Sequence, residues 1–135
     1  MNLHTAENPT GELRGQLLRP GETLYTAALA GANEVPPVTT MASGGVGVIL
    51  NAARTQIRYD GAFTGVMPTL AHIHAAAAGA NGPVLYPLML SGSAVSGTQA
   101  VTADDVVKLD SQGLYANAHS TANPTGEIRG QLIKK

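Results

Sequence analysis

Residues 2 to 17, NLHTAENPTGELRGQL, return as NAHSTANPTGEIRGQL at 117 to 132, at a constant offset of 115 residues and without a gap. Eleven of the sixteen paired positions are identical, among them His4 with His119, Glu12 with Glu127, Arg14 with Arg129 and Gln16 with Gln131. A period close to the chain's own length places the two copies at the ends of one domain-sized unit, the pattern of a slice from a tandem array. Residues 1–19 then read as the tail strand of a preceding repeat, and 20–135 as one complete domain with its own tail. In the other reading, 1–19 adds an extra strand to the same domain.

The repeated segment alternates, with Leu13, Gly15 and Leu17 against Glu12, Arg14 and Gln16, and so does much of the chain between the copies. Val46, Val48 and Leu50 share one phase, as do Ile57, Tyr59, Gly61 and Phe63 against Arg58 and Asp60, the mark of half-buried strands. Further strands are expected over Thr23–Leu29, Leu70–Ala75, Val84–Leu90, Ala94–Gln99, Leu114–Ser120 and Glu127–Ile133. Sixteen Gly and eight Pro break the chain at short intervals, which suits short strands joined by turns. One helical turn or two is expected near 102–110: Thr102 is the N-cap, Asp104 and Asp105 lie in the first turn, and Val106, Val107 and Leu109 form the apolar face. The fold class is all-β, a Greek-key sandwich or flattened barrel. With one Phe, four Tyr and no Trp, its core rests on aliphatic residues, and Met67 and Met89 read as core fillers.

Charge excludes some functions. Eight basic residues balance nine acidic ones with no basic run, so nucleic acid is not an expected partner. The longest apolar stretches, such as Val84–Leu90, carry Pro and fall far short of the roughly 20 residues of a bilayer-spanning helix, so no membrane insertion is expected. Cysteine is absent, which removes disulfides and thiolate metal sites.

The histidines carry the chemistry. His72 and His74 flank Ile73, so both leave the same face of one strand about 7 Å apart at Cα, with Ala71 and Ile73 on the other face. Tyr115, Asn117 and His119 share a face of a later strand, opposite Leu114, Ala116 and Ala118. If the two strands are neighbours, three imidazoles converge into a ligand set for copper, with zinc as the alternative, and leave a position open for water. His4 stands where His119 stands in the other copy and is a candidate fourth ligand. Around this set, Glu127 and Arg129 are expected to pair with neighbouring strands, with anion steering by Arg129 as a functional variant. Asn117 and Glu34 are supporting candidates, the latter in a rigid Glu34-Val35-Pro36-Pro37 connection and free to pair with an Arg.

Taken together, ANEVPPV (32–38), AHIH (71–74), NGPV (81–84) and NAHSTANPTGEIRGQL (117–132) resemble the chordin, or CHRD, domain over about residues 22–133. The resemblance implies a secreted or cell-surface, immunoglobulin-like all-β module, of a kind found in animal inhibitors of bone morphogenetic proteins and widely in microbial secreted proteins. The His72-Ile73-His74 motif is also similar to the copper-binding His-x-His of copper/zinc superoxide dismutases, although the disulfide cysteines and the His-rich zinc loop of that family are missing. Three functions follow as expectations: a metal-binding module with a metal-handling or structural role; an adhesion module that links copies through the 1–19 strand without metal; and a dismutase-like redox enzyme.

Overall fold

Alternation along the chain is realised as antiparallel strand pairing in the computed structural model, which describes residues 2–3, 13–14 and 18–135. The strands are β1 (Asn2–Leu3), β2 (Leu13–Arg14), β3 (Thr23–Ala30), β4 (Ser43–Leu50), β5 (Gln56–Thr64), β6 (Leu70–Ala75), β7 (Val84–Pro87), β8 (Leu90–Ser91), β9 (Ala94–Ala100), β10 (Leu114–His119), β11 (Ile128–Gln131) and β12 (Ile133–Lys134), with one helix, α1 (Ala103–Asp110). Strands β1 and β2 pair with each other. The others form the ladder β7-β6-β10-β11-β3-β4-β5-β9-β8, with β12 also on β3.

The two ends of this ladder, β7 and β8, are consecutive in the chain, with only Leu88 and Met89 between them. Three peptide links span at most about 11 Å. The ladder therefore curls until its ends meet, giving an all-β half-barrel or sandwich with one short helix. The Leu88 N–H donates to the Ala71 carbonyl of β6, and the Met89 N–H donates to the Tyr59 hydroxyl of β5. This crossing corrects the expectation of one strand over 84–90: Pro87 has no N–H for the ladder, and after the Leu88 bond the chain leaves β6 to join β9 at Leu90.

Register builds the core. Tyr25, Val48 and Tyr59 face one another across β3, β4 and β5, and the Leu50–Ile57 pair extends the same row. On the opposite wall Ile73, Ala116, Ala118 and Ile128 are fully buried. Each large aliphatic side chain so buried contributes about 1.5–3 kcal/mol. Gly130 lies where β11 closes on β3: a Cβ there would meet the Ala28 carbonyl oxygen at 2.3 Å, which requires glycine.

The helix starts as expected, with the Thr102 hydroxyl accepting from the Asp105 N–H and the Asp105 carboxylate accepting from the Thr102 N–H. Its apolar face is narrower than expected, because Val106 and Leu109 are buried whereas Val107, turned about 100° away, is exposed. The core assignment of Met67 and Met89 is also corrected, since both are 72% exposed. Met67 lies in the segment before β6 and Met89 at the crossing between the ladder's ends, outside the alternating strands that face inward. Among the described residues, no helix is long and apolar enough to cross a membrane.

Candidate metal centre

Strands β6 and β10, about 40 residues apart in sequence, are hydrogen-bonded neighbours in which Tyr115 pairs with His74, Asn117 with His72 and His119 with Leu70. Paired residues of an antiparallel ladder project to the same face. Hence His72, His74, Tyr115, Asn117 and His119 all leave the side opposite the Ile73 and Ala116 core. Ring centroids lie 4.9 Å apart for His72 and His119, 5.6 Å for His72 and His74, and 6.4 Å for His74 and His119. One nitrogen from each ring falls within 4.8 Å of the others.

Backbone carbonyls set two of the three tautomers. His74 Nδ1 lies 3.0 Å from the Gly82 oxygen, and His119 Nδ1 lies 3.0 Å from the Pro124 oxygen. A carbonyl oxygen only accepts, so both Nδ1 atoms carry the proton and both Nε2 atoms keep their lone pairs. His74 Nε2 is buried without a hydrogen-bond partner in the protein. His72 Nδ1 sits 3.0 Å from His119 Nε2 and donates to it. Burial, followed by the charge of neighbouring imidazoles, lowers the His72 pKa. Burial also lowers that of His119, against the opposing hydrogen bond to Pro124. Both shifts favour the neutral ring, the form that binds metals.

The two carbonyls belong to loops, and the Glu-x-Arg-x-Gln strand holds these loops down. Arg129, 2% exposed, donates to Asn81 Oδ1 at 3.1 Å, the Ala77 oxygen at 3.2 Å and the Ala80 oxygen at 2.7 Å, fastening the loop that carries Gly82. Its Cζ lies 3.4 Å from the centroid of Tyr115, whose ring stacks on His74 at 4.8 Å and 6°. Glu127 accepts from the Ser120 and Thr40 hydroxyls, both at 2.5 Å, and from Asn123 Nδ2 at 2.7 Å, so it fastens the turn that carries Pro124. Those donors lower its pKa. Gln131 donates to the Ala76 carbonyl at the base of the Gly82 loop and to the Gln112 carbonyl in the turn between α1 and β10. The side chains thus anchor loops, and the Arg129 Nη donors that anion steering would use are bonded to the loop.

Asn117 and Glu34 have a different environment. They are 3% and 7% exposed, yet Asn117 Oδ1 and Glu34 Oε1 have no hydrogen-bond partner in the protein. Both line a cavity of about 440 Å³ that reaches His74. Burial pushes the Glu34 carboxyl up to about 6, with the Arg129 charge pulling the other way, and no hydrogen bond joins the two residues. His4 lies outside the described residues.

Sequence reasoning missed the roles of Tyr115, Asn81, Gly82, Ser120 and Thr40. Tyr115 was signalled by its shared phase with His119, and Gly82 by the Asn-Gly-Pro turn; Thr40, 87 residues from Glu127, had no local signal. No curated protein matches the chain. The family model for the CHRD domain matches residues 25–132, from the core Tyr25 of β3 to the buried Leu132 after β11. Since that span takes in all three clustered histidines and the loops that orient them, the chain belongs to the CHRD domain family.

Proposed function

We propose that this CHRD module is an extracellular metal-binding domain that holds a copper ion through His72, His74 and His119, in a metal-handling or structural role. The observation that carries the reading is the His74 ring: its Nδ1–H is fixed on the Gly82 carbonyl, and its Nε2 lone pair is buried with no donor to meet it. Leaving such a group unsatisfied costs about 1–3 kcal/mol. An ion bound among the three rings would satisfy it.

His74 presents Nε2 as it stands; His119 Nε2 now accepts from His72 Nδ1–H, and moving that proton to His72 Nε2 would free both His119 Nε2 and His72 Nδ1 for an ion. Three neutral nitrogen donors without a thiolate favour copper(II) over zinc by the usual affinity order of divalent metals. Bound there, the ion would supply Lewis acidity and, as copper, a one-electron couple. The extracellular assignment rests on the family resemblance. The test is metal content after loading with copper or zinc, compared with a His72→Ala/His74→Ala double variant. About one copper per chain that is lost in the variant supports the reading. Equal, negligible uptake by both proteins eliminates it.

A second reading, an assembly module that links copies by strand addition without metal, is favoured by the ladder's ends. β7 pairs only with β6, and β8 only with β9, among the described residues. An unpaired edge can accept another strand. Deleting residues 1–19 tests it, since oligomeric state and melting temperature unchanged by the deletion would rule out strand donation by that segment.

A further inference from the structure

Three buried side-chain polar atoms lack a partner in the protein among the described residues: Glu34 Oε1, His74 Nε2 and Asn117 Oδ1. All three residues line the same cavity of about 440 Å³. Ordinary proteins leave few such atoms, so their gathering around one space marks a place built to receive hydrogen-bond donors. The metal reading accounts for His74 but not for Glu34 or Asn117.

Glu34 sets the chemistry of what fits. Its Oε1 has no hydrogen-bond partner, and its carboxylate makes no side-chain hydrogen bond among the described residues although it is more than nine-tenths buried. Arg129, the cation that acts on it electrostatically, gives its Nη donors to Asn81, Ala77 and Ala80. Space for the carboxylate depends on Gly126, at φ +143°, where a Cβ would come within 2.6 Å of Glu34 Oε1. Among the described residues, no group of three metal-ligating side chains includes Glu34. The cavity's lining also includes the apolar run Val35, Pro36, Pro37 and Val38.

We propose that this cavity binds a small organic ammonium ion, whose N–H donors reach Glu34 Oε1 and Asn117 Oδ1 while its hydrocarbon part packs on Val35 and Pro37. A primary ammonium has three donors and no acceptor, which matches acceptors that have only one negative charge among them. A charge-assisted hydrogen bond to a carboxylate is about twice as strong as a neutral one, so Glu34 is the main determinant and Asn117 the lesser. The site adjoins the histidine centre at His74 and does not rest on the metal reading.

Titration of metal-free protein with n-butylammonium chloride, followed by NMR of the Asn117 side-chain amide and the Gly126 backbone amide, tests the proposal. Saturable shifts at both positions, with a dissociation constant of about 1 mM or tighter, are expected. Glu34→Gln should weaken binding at least about tenfold, and Asn117→Ala about two- to tenfold. A His72→Ala/His119→Ala variant should bind the amine as the unaltered protein does, which separates this site from the metal centre. No saturable shift would overturn the proposal and leave a cavity that holds water only; equal binding by Glu34→Gln or equally tight binding of 1-butanol would overturn it by showing that the charge on Glu34 does not select the ligand.

Discussion

Glu34 and Arg129 are both buried, and their contrast illustrates what burial does to charge. Arg129 meets three acceptors and an aromatic face, so the cost of its desolvation is offset by charge-assisted bonds. The Glu34 carboxyl has no such bonds among the described residues, and burial lifts it from 4.5 to about 6. Between those values the folded chain binds more protons at Glu34 than the unfolded chain does, so stability falls as pH rises. The full penalty, about 2 kcal/mol, is present above pH 6 and absent well below 4.5. Glu34→Gln should therefore raise the unfolding free energy at neutral pH by up to about 2 kcal/mol and leave it unchanged near pH 4, as read from urea denaturation at the two pH values. A variant no more stable at neutral pH than the parent would show that the carboxylate is solvated in place.

At the scale of elements, β6 and β10 aim the histidines, and loops decide which nitrogen of each ring is available. A strand slip of one residue would move His72 and His74 to the core face, so the register held by Ile73 opposite Ala116 specifies the site. The loop contribution concentrates at Gly82. A Cβ there would lie 2.0 Å from the Ala75 oxygen, closer than any side chain tolerates, and the Gly82 carbonyl is the acceptor for His74 Nδ1–H. Gly82→Ala should push the loop off β6 and release the His74 tautomer. Copper affinity is expected to drop about 10- to 100-fold, with about 1–3 kcal/mol of stability lost to overpacking. A competition titration against a chelator of known affinity measures the first, and affinity equal to that of the parent protein would remove the Gly82 carbonyl from the site's support.

For the molecule as a whole, closure of the ladder is the organising event, and it occurs at Leu88 and Met89. The Met89 N–H has no ladder partner and donates to the Tyr59 hydroxyl at 3.0 Å, with Gly97 leaving space for that hydroxyl on the neighbouring strand. Tyr59→Phe keeps the ring in the core and removes the acceptor. Stability should fall by about 1 kcal/mol, with faster amide hydrogen exchange at Met89. Unchanged exchange there would place the seam's stability in the buried Leu88 and its bond to Ala71 instead.

Strand phase, the helix cap and the shared faces of His72 with His74 and of Tyr115 with Asn117 and His119 were all legible in the amino-acid order. They depend on the two-residue alternation of a strand and on local backbone bonding, which act over a few positions. The edges of Val84–Leu90 and the exposure of Met67 and Met89 were not legible, because both depend on where the ladder closes. Nor could the order of residues show that β6 lies beside β10, or that Glu127 and Arg129 serve loops and not strands. The Arg129 partners lie in the 77–81 loop, roughly 50 residues away, and Glu127 adds Thr40, 87 residues away, to the local Ser120 and Asn123. The repeated Glu-x-Arg-x-Gln segment shows the division most plainly. Its alternation set three polar side chains on one face of a strand; Glu127 then holds the nearby turn that orients His119, and only long-range packing made Arg129 the anchor of the loop that orients His74.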